Sequence, residues 1–378
     1  MIHWFGNKKH TRPFIPQIEP WINGKELKQL RRVIKSTYVV ENKLTEEFEN
    51  IVAKHSGAKH AMAMSNGTVA LFCALRALGI GGGDEVLVPN LTFVASANAI
   101  TLAGAKPVFC EIDERTMQID PYKLPMYLTE RTAAIMPVHL YGQAADMDLI
   151  MRFCRKNSLK CIEDAAQGVG VKFNGQHVGT FGDIGVFSYY GNKTITCGEG
   201  GVLVTNDDKL KVESFRLKNH GRDTKGVFVH DHVGFNFSFT DMQAAIGIAQ
   251  MGKLEKIIKK KKKIHDRYLN ELSCLYGKFN PTYFDPRSTP VHWFTSFLTD
   301  DRDDLMLNLR DNNIQTRMFF MPLHMQPCYE NYSSTVGRYP VSESFYNRGI
   351  SLPSSFKLKW KDQKYIINKI KSYYGVDK

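Results

Sequence analysis

The sequence predicts an α/β protein: a large domain built on a largely parallel sheet flanked by helices, followed by a smaller C-terminal α+β domain. Three observations carry this expectation. From about residue 59, short apolar runs alternate with segments of helical period. A long helical stretch from Phe239 then separates that alternation from a differently patterned remainder. Finally, 378 residues exceed the length at which one core stops growing, and 43% hydrophobic content is enough to fill two. The expected division is 1–40 as a segment packing on the rest, 41–250 as the large domain, and 251–378 as the small domain.

The alternation runs in order. "HAMAMS" reads as a strand, "TVALFCALRALG" as a helix, "EVLVP" as a strand, "VASANAITLAG" as a helix and "PVFCEI" as a strand. "AAIMPVHL", helical "DMDLIMRFCRKN" and the strand "LKCIED" continue it. Short apolar strands joined by helices imply right-handed crossovers and a sheet covered on both faces. "KFNGQHV" inserts a hairpin signal, Asn174-Gly175. "FTDMQAAIGIAQMGKLEKIIKKKKKIHDRYLNEL" opens with capping-box spacing, Thr240 to Gln243, and reads as one long helix. Its run Lys259 to Lys263 reads as a solvated face, with a membrane-surface patch as the sharper alternative. Beyond it, "HWFTSFLT" and "IQTRMFF" read as strands, "DLMLNLRDNN" and "DQKYIINKIKSYYG" as helices.

Composition narrows the class. The opening stretch MIHWFGNKKHTRPF has no apolar core of signal-peptide length, and the longest apolar region, from Phe93, is broken by Asn98, Thr101 and Lys106. A cytoplasmic protein without membrane insertion is expected. Seven cysteines form no CxxC pair and are odd in number, which argues against a zinc site and a disulfide framework and for reduced, mostly buried thiols. The net charge of +12 comes without a base-reading motif, so an anionic small substrate explains it as well as nucleic acid does.

Four features fall at expected strand ends, where open α/β sheets bind ligands. Asp164 ends "LKCIED"; Lys193 follows "IGVFSYY"; Ser65 to Thr68 close "HAMAMS" and open a helix; Phe93 follows "EVLVPNLT". The helix start offers unpaired N–H groups and a hydroxyl to an anion, although Ser65 or Thr68 serving as a simple N-cap explains the same residues. Gly191-Asn192-Lys193-Thr194 is not a nucleotide phosphate loop, because Asn192 interrupts the required Gly-Lys and Val186 stands where the first glycine belongs. An acid, a lysine, an aromatic and a phosphate seat on one rim are together what pyridoxal phosphate requires.

"SNGTVAL", "PNLTFVAS", "PVHLYGQAADM", "IEDAAQGVG", "FGDIGVFSYYGNKTITCGEGGVLVTND" and "GFNFSFTDMQAAIGIAQ", in this order, resemble the DegT-type sugar aminotransferases, pyridoxal-phosphate enzymes of fold type I. The resemblance runs from about Pro16 to the C-terminus. It implies Lys193 as the Schiff-base lysine, Asp164 against the pyridine nitrogen, Gln167 near the ring hydroxyl and Phe93 against the ring. Gly67, Thr68 and Ser188 would hold the phosphate, joined by Asn236 from a partner subunit, so a homodimer is implied. Asn192, Tyr141, Arg317 and His324 are candidates for sugar-nucleotide contact, and His220 is a weaker one. The implied reaction passes an amino group from L-glutamate to C4 of a nucleotide-linked 4-keto-6-deoxyhexose, in a ping-pong cycle. For that, Asp164 must stay ionised and Lys193 must shed its proton near neutrality, which burial favours.

The same-fold rival is a sugar 3-dehydratase, in which histidine takes the lysine position; Lys193 stands against it. A non-enzymatic regulator is opposed by the intact set Lys193, Asp164, Gln167 and Ser188.

Overall fold

The computed structural model describes residues 12–224, 226–332 and 338–376. Helices α1 (Gly24–Ser36) and α2 (Lys43–Ser56) precede the alternating part. There follow β1 (His60–Met64), α3 (Gly67–Ala77), β2 (Glu85–Pro89), α4 (Ala95–Leu102), β3 (Lys106–Cys110), β4 (Thr132–Ile135), α5 (Met147–Asn157) and β5 (Lys160–Asp164). After a small hairpin come β8 (Ile184–Ser188), β9 (Gly201–Thr205) and α6 (Asp208–Lys218). The central sheet has the order β1-β9-β8-β5-β4-β2-β3. Only β9 runs against the rest, pairing antiparallel with both β1 and β8. Strands β2 and β8 are buried along their whole length because helices cover both faces, which is why they read as continuous apolar runs.

The hairpin is β6 (Lys172–Phe173) and β7 (Gln176–His177). Asn174 at φ 47° and Gly175 at φ 83° give the paired left-handed turn expected of Asn-Gly. A third short strand, β11 (Ser288–Thr289), comes from the C-terminal part to lie beside it.

The long helical stretch is two helices, α7 (Asp241–Met251) and α8 (Leu254–Leu272). The expected capping box is present at Thr240 and Gln243. The break at Gly252-Lys253 corrects the single-helix expectation, and its cause is tertiary. Lys253 turns inward to pair with Glu26 at the start of α1, and Gln250 Nε2 donates to Glu26 at 2.6 Å and to the Trp21 carbonyl at 2.9 Å. Asp241 does similar work for α2: its carboxylate accepts from the amides of Asn42, Leu44 and Thr45.

The lysine run is also corrected at one position. Helix α8 buries Leu254, Ile257, Lys261, Ile264, Tyr268 and Leu272, a stripe of helical period, and Lys261 lies on it. Lys259, Lys262 and Lys263 are exposed as expected.

A four-stranded sheet, β10 (Asn280–Pro281), β12 (Thr295–Leu298), β14 (Gly349–Leu352) and β13 (Arg317–Met318), in that spatial order, packs with α9 (Arg302–Asp311), α10 (Pro340–Arg348) and α11 (Trp360–Tyr373). The expected strand "IQTRMFF" is ordered as β only at Arg317–Met318. One apolar core lies about the central sheet and a second under the small one, with Tyr268, Phe279, Phe297 and Ile367 at its centre. Helix α8 joins them: Leu254 and Ile257 belong to the first core, Ile264 and Leu272 to the second. Five of the seven cysteines are buried; Cys274 and Cys328 are exposed. No described helix is long and apolar enough to cross a membrane.

Glu26 and Lys253 are 2% and 1% exposed at their side chains. Burial raises the Glu26 pKa, but hydrogen bonds led by that of Lys253 outweigh it and hold it below 4.5. A depressed carboxyl pKa stabilises the fold above its unfolded value and loses that contribution as pH falls through the folded one. Glu26→Ala, which strands the Lys253 ammonium, is expected to cost about 3–5 kcal/mol in urea denaturation at pH 7. The deficit relative to the native chain should shrink below pH 4.5.

Candidate active site

The carboxyl ends of β1, β2, β4, β5 and β8 open onto one cleft of about 750 Å³. Asn66, Gly67 and Thr68 enter it from β1, Phe93 from β2, Tyr141 from β4, Asp164 and Gln167 from β5, and Ser188, Asn192 and Lys193 from β8. Trp293, Phe294, Arg317 and Phe320 form the facing wall.

The anion seat is at the start of α3. Its N-cap is Asn66, whose side chain accepts from Val69 N at 3.1 Å, so the expectation of Ser65 or Thr68 as cap is corrected. The amides of Gly67 and Thr68 precede Val69 in the first turn, where no helical carbonyl can reach them. Ser188 stands opposite: a Cβ on Gly67 would lie 3.2 Å from the Ser188 Cβ. A Cβ on Gly201 would lie 2.3 Å from the Asn66 carbonyl oxygen, so glycine lets β9 pass directly behind the seat.

The acid is held by donors. Asp164, 4% exposed, accepts from Ser96 Oγ at 2.7 Å and from Ala166 N at 3.1 Å. These two donors fix the orientation of the carboxylate at the cleft edge. Its neighbour Glu163, fully buried, accepts from the amides of Gly179, Phe181 and Gly182, each at 2.7 Å, and is 3.0 Å from His139 Nε2. His139 Nδ1 accepts from Ala145 N, which leaves the ring proton on Nε2, facing Glu163. Gln167 Oε1 accepts from Tyr141 N at 2.6 Å, so its amide N–H groups remain for the cleft.

Lys193 sits on the connection from β8 to β9. Burial pushes its pKa down to about 8, against the pull of the Asp164 charge, which raises it. At pH 7 roughly one amine in ten is then neutral, against about one in three thousand at the ordinary value. The Lys193 Nζ lies 4.7 Å from the centroid of the Trp293 ring, and Trp293 Nε1 donates to the Asn192 carbonyl at 2.8 Å. Phe93 is 52% exposed, an aromatic face turned to the cleft and tilted against Phe320 at 5.6 Å.

Tyr141 adopts φ 55° and is packed among Trp293, Phe319 and Phe320, its hydroxyl accepting from Phe320 N at 3.2 Å. Arg317 lines the cleft without an ion pair among the described residues. His324 stands outside the lining, its Nδ1 2.9 Å from Asn90 Nδ2 and its Nε2 3.3 Å from Glu343. Asn236 and His220 are exposed and likewise do not line the cleft of their own chain. Ser96 and Trp293 went unread in the sequence: Ser96 is one serine in a helix, and Trp293 lies in a stretch read only as a strand.

The whole chain from residue 20 to 371 matches the DegT/DnrJ/EryC1/StrS aminotransferase family. The chain belongs to that family. The GDP-perosamine synthase of Vibrio cholerae is 41% identical over 371 residues, covering 96% of this chain and 99% of that protein. The GDP-perosamine synthase of Escherichia coli O157:H7 is 39% identical over 368 residues, again covering 96% and 99%. Among solved structures, a DegT DnrJ EryC1 StrS aminotransferase from Brucella abortus superposes with a TM-score of 0.88 at 30% identity, covering 93% of this chain and 96% of that one. DegT-family aminotransferases depend on pyridoxal phosphate. Among the described residues no three His, Cys, Asp or Glu side chains group to hold a metal.

Two outcomes follow for this aminotransferase. Asp164→Asn removes the charge that raises the Lys193 pKa, so in cofactor-free protein the amine should titrate below 8; the pH dependence of Lys193 acylation, read by peptide mass spectrometry, measures it. Gly201→Ala pushes a Cβ into the Asn66 carbonyl and, at 2.8 Å, the Gly67 amide. It should weaken pyridoxal-phosphate binding at least about tenfold in calorimetric titration, about 1.4 kcal/mol.

Proposed function

We propose that this protein transfers an amino group from L-glutamate to C4 of a GDP-linked 4-keto-6-deoxyhexose, the reaction of a GDP-perosamine synthase. The observation that carries the reading is the convergence of Lys193, Asp164 and the α3 anion seat on one cleft. The relatives at 41% and 39% identity support the choice of acceptor.

The residues fit pyridoxal phosphate. The space a Gly67 Cβ would fill against Ser188 is left open, and the donors around it, two amides and hydroxyls of Thr68 and Ser188, suit a phosphate. Asp164 suits a protonated pyridine nitrogen, Gln167 has N–H groups free for the ring hydroxyl, and Phe93 gives the ring an apolar face. When bound, the cofactor supplies an electron sink for charge developing at the substrate carbon. The chain's own part is electrostatic and acid–base. Ser96 and Ala166 donate to Asp164 and hold its carboxylate in place. Lys193 is the covalent anchor, and once displaced its neutral Nζ takes up and returns the proton of the substrate carbon. Trp293 and Phe294 keep water from that amine.

Arg317 suits the diphosphate of the acceptor, since among the described residues its planar fork pairs with no carboxylate. Asn192 and Tyr141 line the same cleft from the sheet side and are the further candidates for sugar contact. His324 has both ring nitrogens engaged and acts by holding Asn90. A homodimer completes the site: the segment before Asn236 exposes Phe228 at 82% and Val233 at 88%, an apolar surface suited to a second copy, which would carry Asn236 to the partner's phosphate seat.

Purified protein given pyridoxal phosphate should turn yellow, and borohydride should fix the cofactor to Lys193. Lys193→Ala should abolish the adduct and lower turnover by at least about 10³-fold, within the range of lost general acid–base catalysis. Turnover with glutamate across GDP-, UDP- and dTDP-linked 4-keto-6-deoxy sugars should be highest with the GDP sugar; preference for another base moves the assignment, and no turnover with any rejects C4 amination.

A further inference from the structure

The lysine run of α8 contains one amine that the proposed chemistry does not use. Lys261 is 3% exposed, and its Nζ donates to the carbonyls of Trp293 and Ser354, both at 2.9 Å. No carboxylate pairs with it among the described residues, and burial pushes its pKa down to about 7. A neutral amine has two N–H groups, and the two carbonyls take both. Burying an amine without a counter-ion is costly, and a methionine would fill the same volume, so the hydrogen bonds are what distinguish lysine here.

The first of these carbonyls belongs to the wall that faces Lys193. The Trp293 indole covers the Lys193 amine at 4.7 Å and donates to the carbonyl of Asn192, the residue before it. Ser354 Oγ accepts from Thr295 N at 2.9 Å, so the same lysine holds the Trp293 carbonyl directly and, through Ser354, the chain two residues on. The Trp293 ring also packs on Tyr141, at 6.2 Å between centroids. Lys261 is not itself among the residues that line the cleft; it reaches the site through the Trp293 peptide.

We infer that Lys261 is a positioning residue for Lys193: by tying the Trp293 and Ser354 carbonyls together, it fixes the indole that shields the reactive amine and holds the Asn192 carbonyl. The inference rests on Lys193 being the reactive amine. It follows that loosening Trp293 lets water reach Lys193 and moves its titration back toward that of a free lysine.

The test uses the full-length chain freed of cofactor, with Lys193 acylation followed against pH by peptide mass spectrometry. In Lys261→Met the midpoint, about 8 in the native chain, should rise by on the order of one unit, a roughly tenfold loss of Lys193 reactivity at pH 7. Trp293→Phe should shift it similarly, and the double variant should shift it no further than the larger single change. Lys261→Gln, which keeps N–H donors on a shorter stem, should give an intermediate shift and serves as the test if the methionine variant does not fold. A folded Lys261 variant with lowered melting temperature but an unmoved midpoint, or additive shifts in the double variant, overturns the inference. Failure of borohydride to fix the cofactor at Lys193 would instead remove the reading of the site and leave the labelling result standing.

Discussion

The buried carboxylate of Glu163 fixes the edge of the sheet on which everything else is arranged. It gathers the amides of Gly179, Phe181 and Gly182, which lead into β8, and His139, which follows β4. One side chain of β5 thereby ties the entry of β8 to the exit of β4. An unpaired buried carboxylate costs several kcal/mol, so the loops cannot drift away from it without penalty. Asp164 is the next residue, and Ser188 and Tyr141 lie at the ends of the strands on either side. Their spacing is inherited from this one cluster of hydrogen bonds.

The cleft divides its work between two walls. The sheet edge carries the charged and hydrogen-bonding groups, while the facing wall is mostly aromatic. A third small apolar cluster, with Leu91, Val138, Tyr141, Trp293 and Phe319, lies between the two larger cores and directly beneath the cleft. Tyr141 is central to it, and its left-handed backbone is held by the Gln167 side chain on one side and by stacked rings on the other. That conformation disfavours a β-branched residue and places the Tyr141 amide against Gln167 Oε1, which accepts from it.

Much of this was legible in the sequence because local rules and the fold agree. Asp164 ends, and Lys193 and Phe93 closely follow, strands whose apolar runs are unambiguous, and parallel sheets put such residues on one edge. Asn174-Gly175 and the Thr240 capping box are local signals, and both are formed as read. What stayed hidden depends on residues far apart in the chain. The break after α7 comes from Lys253 meeting Glu26. Asn66 is the cap rather than Ser65 or Thr68 because the helix begins at Gly67, a boundary that the run Ser65 to Thr68 does not itself mark. Lys261 looked like its neighbours because composition cannot show which lysine of a run falls on the buried stripe. The partners of His324 were hidden for a similar reason: its ring meets Asn90 and Glu343, which are distant from its segment or set by its folding.

The antiparallel strand β9 gives Lys193 a setting that no other crossover in the sheet provides. Every parallel pair is joined by a longer excursion over one face, but β8 and β9 are neighbours, and their connection closes on itself. Tyr189 N donates to the Gly200 carbonyl and Cys197 N to that of Tyr189, each at 2.9 Å, while Ser188 pairs with Gly201 at its base. Closing so short a loop leaves little chain entropy to lose, and both ends are anchored in the buried sheet. Natural variation in length should therefore collect in the outer crossovers and avoid residues 189–200, where one inserted residue would swing the amine away from Asp164.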